Sequence, residues 1–134
     1  MNKIMKSLII TSQLVQDHEF IYPFYRLLEE GFTVDVCLNE GKPVKGILGT
    51  DIPPNKNHPV KNINSIKTSD YDFLVIPGGV KALEKVRQNK DIINFISKFN
   101  SENKIIACIC SGAQLLISAK IVKGKKISGY YSMK

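Results

Sequence analysis

Apolar residues come in two rhythms along this chain. Short unbroken runs lie at Ser7 to Thr11, Phe32 to Leu38, Phe73 to Ile76 and Lys104 to Cys108. Runs of this length without polar alternation suit strands covered on both faces of a parallel sheet. Between them the spacing changes. Phe20, Pro23, Phe24, Leu27 and Leu28 fall at i, i+3, i+4, i+7 and i+8, one apolar helical face. Proline is tolerated only in a first turn, so this helix should open at about Asp17–Phe20. Gly31 fits a left-handed stop after Glu29 and Glu30. Ala82 to Gln88 reads as a short helix. Ile92, Ile93, Phe95, Ile96 and Phe99 mark a longer one starting near Asp91, and Gly112 to Ala119 a last one. Lys123 to Lys126 should turn into a final strand, Ile127 to Tyr130. Asn39 to Ser69 is weakly patterned, with a small hairpin expected from Val44 to Ile47 and Ile52, and His58 expected at the surface.

Strands alternating with helices imply right-handed crossovers and a mainly parallel sheet, an α/β domain. Ligands of such sheets sit beyond the carboxyl ends of the strands. Three features fall at that edge: the polar loop before Glu19, the pair Gly78-Gly79 after the third run, and Cys110.

The stretch around Cys110 is the most informative. A strand-like run ends in Cys108-Ile109-Cys110-Ser111-Gly112 and continues as a helix former. Small residues two places either side of Cys110 match a nucleophile elbow, whose tight turn admits no bulky neighbours. Cys110 would then stand at a helix N-terminus, where free N–H groups favour a thiolate. The same pattern also fits a buried strand ending in an inert thiol. Gly78-Gly79 would let backbone N–H groups approach a ligand.

Composition narrows the classes. The 134 residues suffice for one domain, and 43% are hydrophobic. No apolar run can span a bilayer, and Leu8–Ile10 is too short for a signal peptide, so a cytoplasmic protein is expected. Three cysteines at no zinc spacing point to reduced thiols, with no metal site and no disulfide framework. The net charge of +7 comes from scattered lysines without interleaved aromatics, which reads as a solvated surface and not a nucleic-acid face.

On these residues the chain resembles the ThiJ/PfpI family of the class I glutamine amidotransferase-like superfamily. Ala107 to Ala119 is similar to the family's elbow and following helix. Glu19 with Ile21-Tyr22-Pro23, Arg26-Leu27, Glu29-Glu30-Gly31, Pro77-Gly78-Gly79, and Glu84 with Val86-Arg87 support it. The resemblance implies a flavodoxin-like three-layer sandwich and a homodimer or larger assembly. It implies catalytic roles for Cys110 and Glu19, and oxyanion binding by backbone N–H groups of Gly78, Gly79 and Ser111. Glu84 and Arg87 would lie near a neighbouring subunit, and no cofactor is implied. Family chains usually continue past the segment matching Tyr131 to Lys134 into further strands and a helix. This chain stops there, so a truncated single domain, or one covered by another chain, is expected.

Two departures bear on function. Peptidase-like members carry histidine directly after the cysteine, where this chain has Ser111. Deglycase-like members carry histidine in the segment matching Ser128 to Ser132, where Tyr130 stands. His18 and Tyr130 remain as accessory residues. The first expectation is therefore a glyoxalase-like, deglycase-like or hydrolase-type enzyme acting on small electrophiles. In it Cys110 is the nucleophile and Glu19 the general acid/base. The second is a redox sensor or chaperone-like stress protein without turnover. The third is an intracellular cysteine peptidase or amidase.

Overall fold

The computed structural model describes residues 3–129. Its core is a five-stranded parallel sheet in the order β5-β2-β1-β6-β7. The strands are β1 (Lys6–Thr11), β2 (Thr33–Leu38), β5 (Val60–Lys61), β6 (Phe73–Ile76) and β7 (Ile105–Cys108). Strands β3 (Val44–Lys45) and β4 (Asp51–Ile52) form a separate antiparallel hairpin.

Side chains alternate across a strand, so each buried strand feeds two cores. Leu8, Ile10, Leu74 and Ile76 pack with Leu83, Ile92, Phe95, Ile96, Phe99 and Leu115. Those partners come from α2 (Val80–Val86), α3 (Lys90–Ser101) and α4 (Ala113–Ser118). Ile9, Val34, Val36 and Val75 pack the other way, against Phe20 and Phe24 of α1 (Asp17–Glu29). The result is the expected α/β three-layer sandwich. Among the described residues no helix is long and apolar enough to cross a membrane.

Helix α1 begins and stops where its sequence says. Pro23 lies one turn later than the first-turn rule expects and, having no N–H, leaves the Glu19 carbonyl without its helical donor. At the other end Gly31 takes φ +83°. Its N–H bonds to the Leu28 carbonyl at 3.0 Å, and the Phe32 N–H to the Leu27 carbonyl at 3.0 Å, the double closure of a Schellman turn.

Four expectations change. Leu28, placed by spacing on the apolar face, is exposed, because the buried stripe is narrower and rests on Phe20 and Phe24. Ile127 to Gly129 form no strand, and Tyr130 lies outside the described residues. β5 was not expected; two residues carry no periodicity to read. His58 is not a free surface residue. Its ring meets Phe24 edge-on at 4.9 Å between centroids, and its Nε2 is buried without a partner.

Asp17, in the first turn of α1, ties the hairpin down. Asp17 is 2% exposed. It accepts the N–H groups of Leu48 at 2.8 Å and Thr50 at 3.1 Å. Gly46 runs so close that a Cβ there would overlap the carboxylate. Burial alone would raise the Asp17 pKa, but the hydrogen bonds from Leu48 and Thr50 outweigh it and hold the value below the ordinary 3.8.

Replacing Asp17 by Ala should cost about 1–3 kcal/mol in urea unfolding, since two N–H groups lose their buried acceptor. A depressed folded pKa means the clamp contributes in full above the ordinary value of 3.8 and is lost as pH falls through the folded one. The variant should accordingly show less acid sensitivity below about pH 4 than the parent. Equal acid profiles would show that the carboxylate carries no such clamp.

Candidate active site

The carboxyl ends of β1, β6 and β7 meet at one point. After β7, Ile109 stays extended and Cys110 turns to φ +54°, a left-handed conformation that a non-glycine residue holds at a cost of about 1–3 kcal/mol. A 3-10 turn over Cys110–Gly112 leads into α4. The turn is closed by the Gly112 N–H on the Ile109 carbonyl at 2.8 Å, and anchored by the Ile109 N–H on the Ile76 carbonyl at 3.0 Å. Gly112 is required there. A Cβ would sit 2.5 Å from the Ile76 carbonyl oxygen and 3.3 Å from Cys108 Cβ. This is the geometry of a nucleophile elbow, and its central thiol is exposed.

Gly78 is the point of convergence. Its N–H donates to Glu19 Oε2 at 2.7 Å. A Cβ on Gly78 would overlap that same carboxylate oxygen and stand 3.0 Å from Cys110 Cβ. The Glu19 carboxylate and the Cys110 side chain therefore flank one glycine. Gly79, at φ +110°, lies under the loop before α1; a Cβ there would come within 2.8 Å of the Gln16 nitrogen and 2.9 Å of the Leu14 carbonyl oxygen. The Gln16 N–H bonds to the Gly78 carbonyl at 3.2 Å.

The backbone donors differ from expectation. The Gly78 N–H is held by Glu19, and the Gly79 N–H donates to Ser111 Oγ at 3.0 Å. Neither stands free for an oxyanion in this conformation, because side chains reach into the turn first. Sequence reasoning assigned Ser111 only its backbone. Its side chain, 4% exposed, is the group it missed, and a pairing across 32 residues leaves no local signal.

His18 does not join the site. It is exposed on the outer face of α1, beside a groove of about 560 Å³ also lined by Ile21, Tyr22, Tyr25, Arg26 and Glu29. Cys110 is not among the residues lining this groove, so the groove is not the chemical site. Neighbouring positions on a helix face about 100° apart, which is why Glu19 can reach Gly78 while His18 points away. Glu84 is exposed on α2, and the Arg87 Nε donates to Ser118 Oγ of α4 at 3.0 Å. No His, Cys, Asp and Glu cluster able to hold a metal occurs among the described residues.

With this geometry in hand, comparison decides the family. Residues 5–134 match the DJ-1/PfpI family. The chain belongs to that family. A deglycase of Pyrococcus horikoshii is 35% identical over 130 residues, covering 97% of this chain and 75% of its own. The deglycase PfpI of Pyrococcus furiosus is 34% identical with the same coverage. The crystal structure of Drosophila melanogaster DJ-1beta superposes with a TM-score of 0.85 at 24% identity, over 98% of this chain and 68% of that one, a likeness of fold. The flavodoxin-like fold is thus that of the DJ-1/PfpI proteins, and relatives with enzyme names stand near it.

The three thiols are unequal. Burial pushes Cys37 up to about 12, and burial also raises Cys108, whereas Cys110 is exposed. Thiolate is the reacting form, so iodoacetamide at neutral pH should label Cys110 first by at least about tenfold. Peptide mapping by mass spectrometry reads this directly. Faster labelling of Cys37 or Cys108 would remove the elbow thiol from consideration.

Proposed function

We propose that this DJ-1/PfpI protein is a cofactor-independent cytoplasmic enzyme of glyoxalase or deglycase type, acting on small electrophilic carbonyl compounds. The observation that carries the reading is the meeting of Cys110 and Glu19 at Gly78 without a histidine. Of the two histidines in the chain, His18 lies on the outer face of α1 and His58 against Phe24.

In this reading the Cys110 thiol gives its proton to the Glu19 carboxylate and adds to a carbonyl carbon. Glu19 then returns the proton to the oxygen of the adduct. General acid/base help of this kind is worth about 10²–10⁴-fold. Cleaving a peptide would require protonating a leaving amine, for which a Cys–His pair is the usual device. Its lack places the peptidase reading third. The deglycase names of the Pyrococcus relatives support carbonyl chemistry. A second reading, a stress protein whose exposed thiol is oxidised without turnover, draws on a Bacillus subtilis relative named general stress protein 18, 32% identical.

Methylglyoxal turnover tests the choice. Cys110→Ala should abolish it, and Glu19→Gln should lower kcat by about 10²–10⁴-fold. Oxidation of Cys110 by mild peroxide, with no methylglyoxal consumed, would favour the stress-protein reading.

We also propose a homodimer formed through α1. Tyr22 and Tyr25 are exposed beside Ile21 and Arg26, and tyrosine and arginine are the residue types that interfaces enrich. Light scattering should give twice the 15.0 kDa chain mass. Tyr22→Asp should shift it to monomer; a parent that is already monomeric at micromolar concentration overturns the assembly.

A further inference from the structure

The hydroxyl of Ser111 has no part in the chemistry above, yet it occupies a telling position. It directly follows the nucleophile, where elbow sites take their oxyanion donors. Its Oγ accepts the Gly79 N–H at 3.0 Å. A serine hydroxyl that accepts still has its own proton to give. Among the described residues that proton goes to no acceptor, although the side chain is 4% exposed. A buried donor left over beside a nucleophile is free for a ligand oxygen.

We propose that Ser111 Oγ–H donates to the oxygen of the carbonyl adduct on Cys110, with the Gly79 N–H polarising it from behind. This rests on Cys110 adding to carbonyl compounds, as proposed above. The step balances as follows. Cys110 loses its proton to Glu19, the S–C bond forms, and the carbonyl π pair moves onto oxygen. The oxygen takes the Ser111 hydrogen bond and then the proton from Glu19, giving a neutral hemithioacetal and a carboxylate. Ser111 keeps its proton throughout. The chain Gly79 N–H to Ser111 Oγ–H to oxygen strengthens link by link, since each bond polarises the next.

The arrangement explains why the occupied Gly79 N–H does not disable the site. Its donor strength passes through the hydroxyl instead of reaching substrate directly. It also favours one class of substrate. A hydroxyl can stabilise developing negative charge, but it is too weak an acid to protonate a leaving amine. Aldehydes and ketones that add reversibly fit; amides do not.

Two reagents applied to the full chain separate this role from simple bracing. Iodoacetamide alkylates by displacing iodide, and no oxyanion forms. Methylglyoxal adds and makes one. Reversible addition is read as protection of Cys110 from iodoacetamide, which needs no turnover. Ser111→Ala should alkylate within about twofold of the parent, but need on the order of tenfold more methylglyoxal for the same protection. Where turnover is measured, kcat/KM should fall about 10²-fold. Ser111→Thr, which keeps the hydroxyl, should restore both. Equal protection in the Ala variant, parallel loss of alkylation and protection, or no protection in the parent each overturns the proposal. Protection without turnover in the parent leaves Ser111 its role and removes only the enzymatic reading.

Discussion

The site depends on backbone packed against backbone with nothing between. At Gly78 and Gly79 a side chain of even one carbon would collide with Glu19, with Cys110 or with the loop before α1. Three separate stretches of chain can meet there only because two residues contribute no Cβ. Glu19 arrives from a helix, Cys110 from a strand end, and neither carries information about the other. The glycine pair sets their spacing.

That spacing is held from two further sides. Loop residues before α1 bond to the hairpin, with the Leu14 N–H on the Lys45 carbonyl at 2.9 Å and the Ile47 N–H on the Val15 carbonyl at 2.9 Å. Asp17 closes the same unit from the helix. The hairpin, though outside the main sheet, thus braces the segment that delivers Glu19. On the opposite side Ser111 fastens the glycine turn to the elbow. The left-handed Cys110 persists because this surrounding leaves it no relaxed alternative.

Much of this was legible in the residues. The strand runs carry enough consecutive apolar positions, and α1 enough spaced ones, to be read without knowing their neighbours. The elbow was legible because Cys108 and Gly112 are small for a steric reason that local spacing expresses. Gly31 was legible because a left-handed stop needs glycine whatever lies beyond. What escaped was long-range. Asp17 meets residues 31 and 33 positions away, Ser111 meets Gly79 at 32, and His58 finds Phe24 only through tertiary packing. A polar side chain does not announce which distant N–H it will accept. The outward direction of His18 follows from helical phase, which its adjacency to Glu19 in sequence conceals.

The strand that ends in the elbow also lies at one edge of the described sheet. Among the described residues β7 is bonded to β6 alone, as β5 is to β2 at the opposite edge, and Ile105 at its start is exposed. Structure opens locally from its least supported members, and amide exchange reports the order in which it does so. The nucleophile therefore hangs from an edge strand of the described sheet, while its carboxylate partner comes from a helix packed on the interior through Phe20 and Phe24. Excursions of β7 would carry the thiol away from the glycine turn without unfolding the domain. A surface that covers this edge would act on the reactivity of Cys110 at a distance, by deciding how much of the time the two halves of the site are assembled.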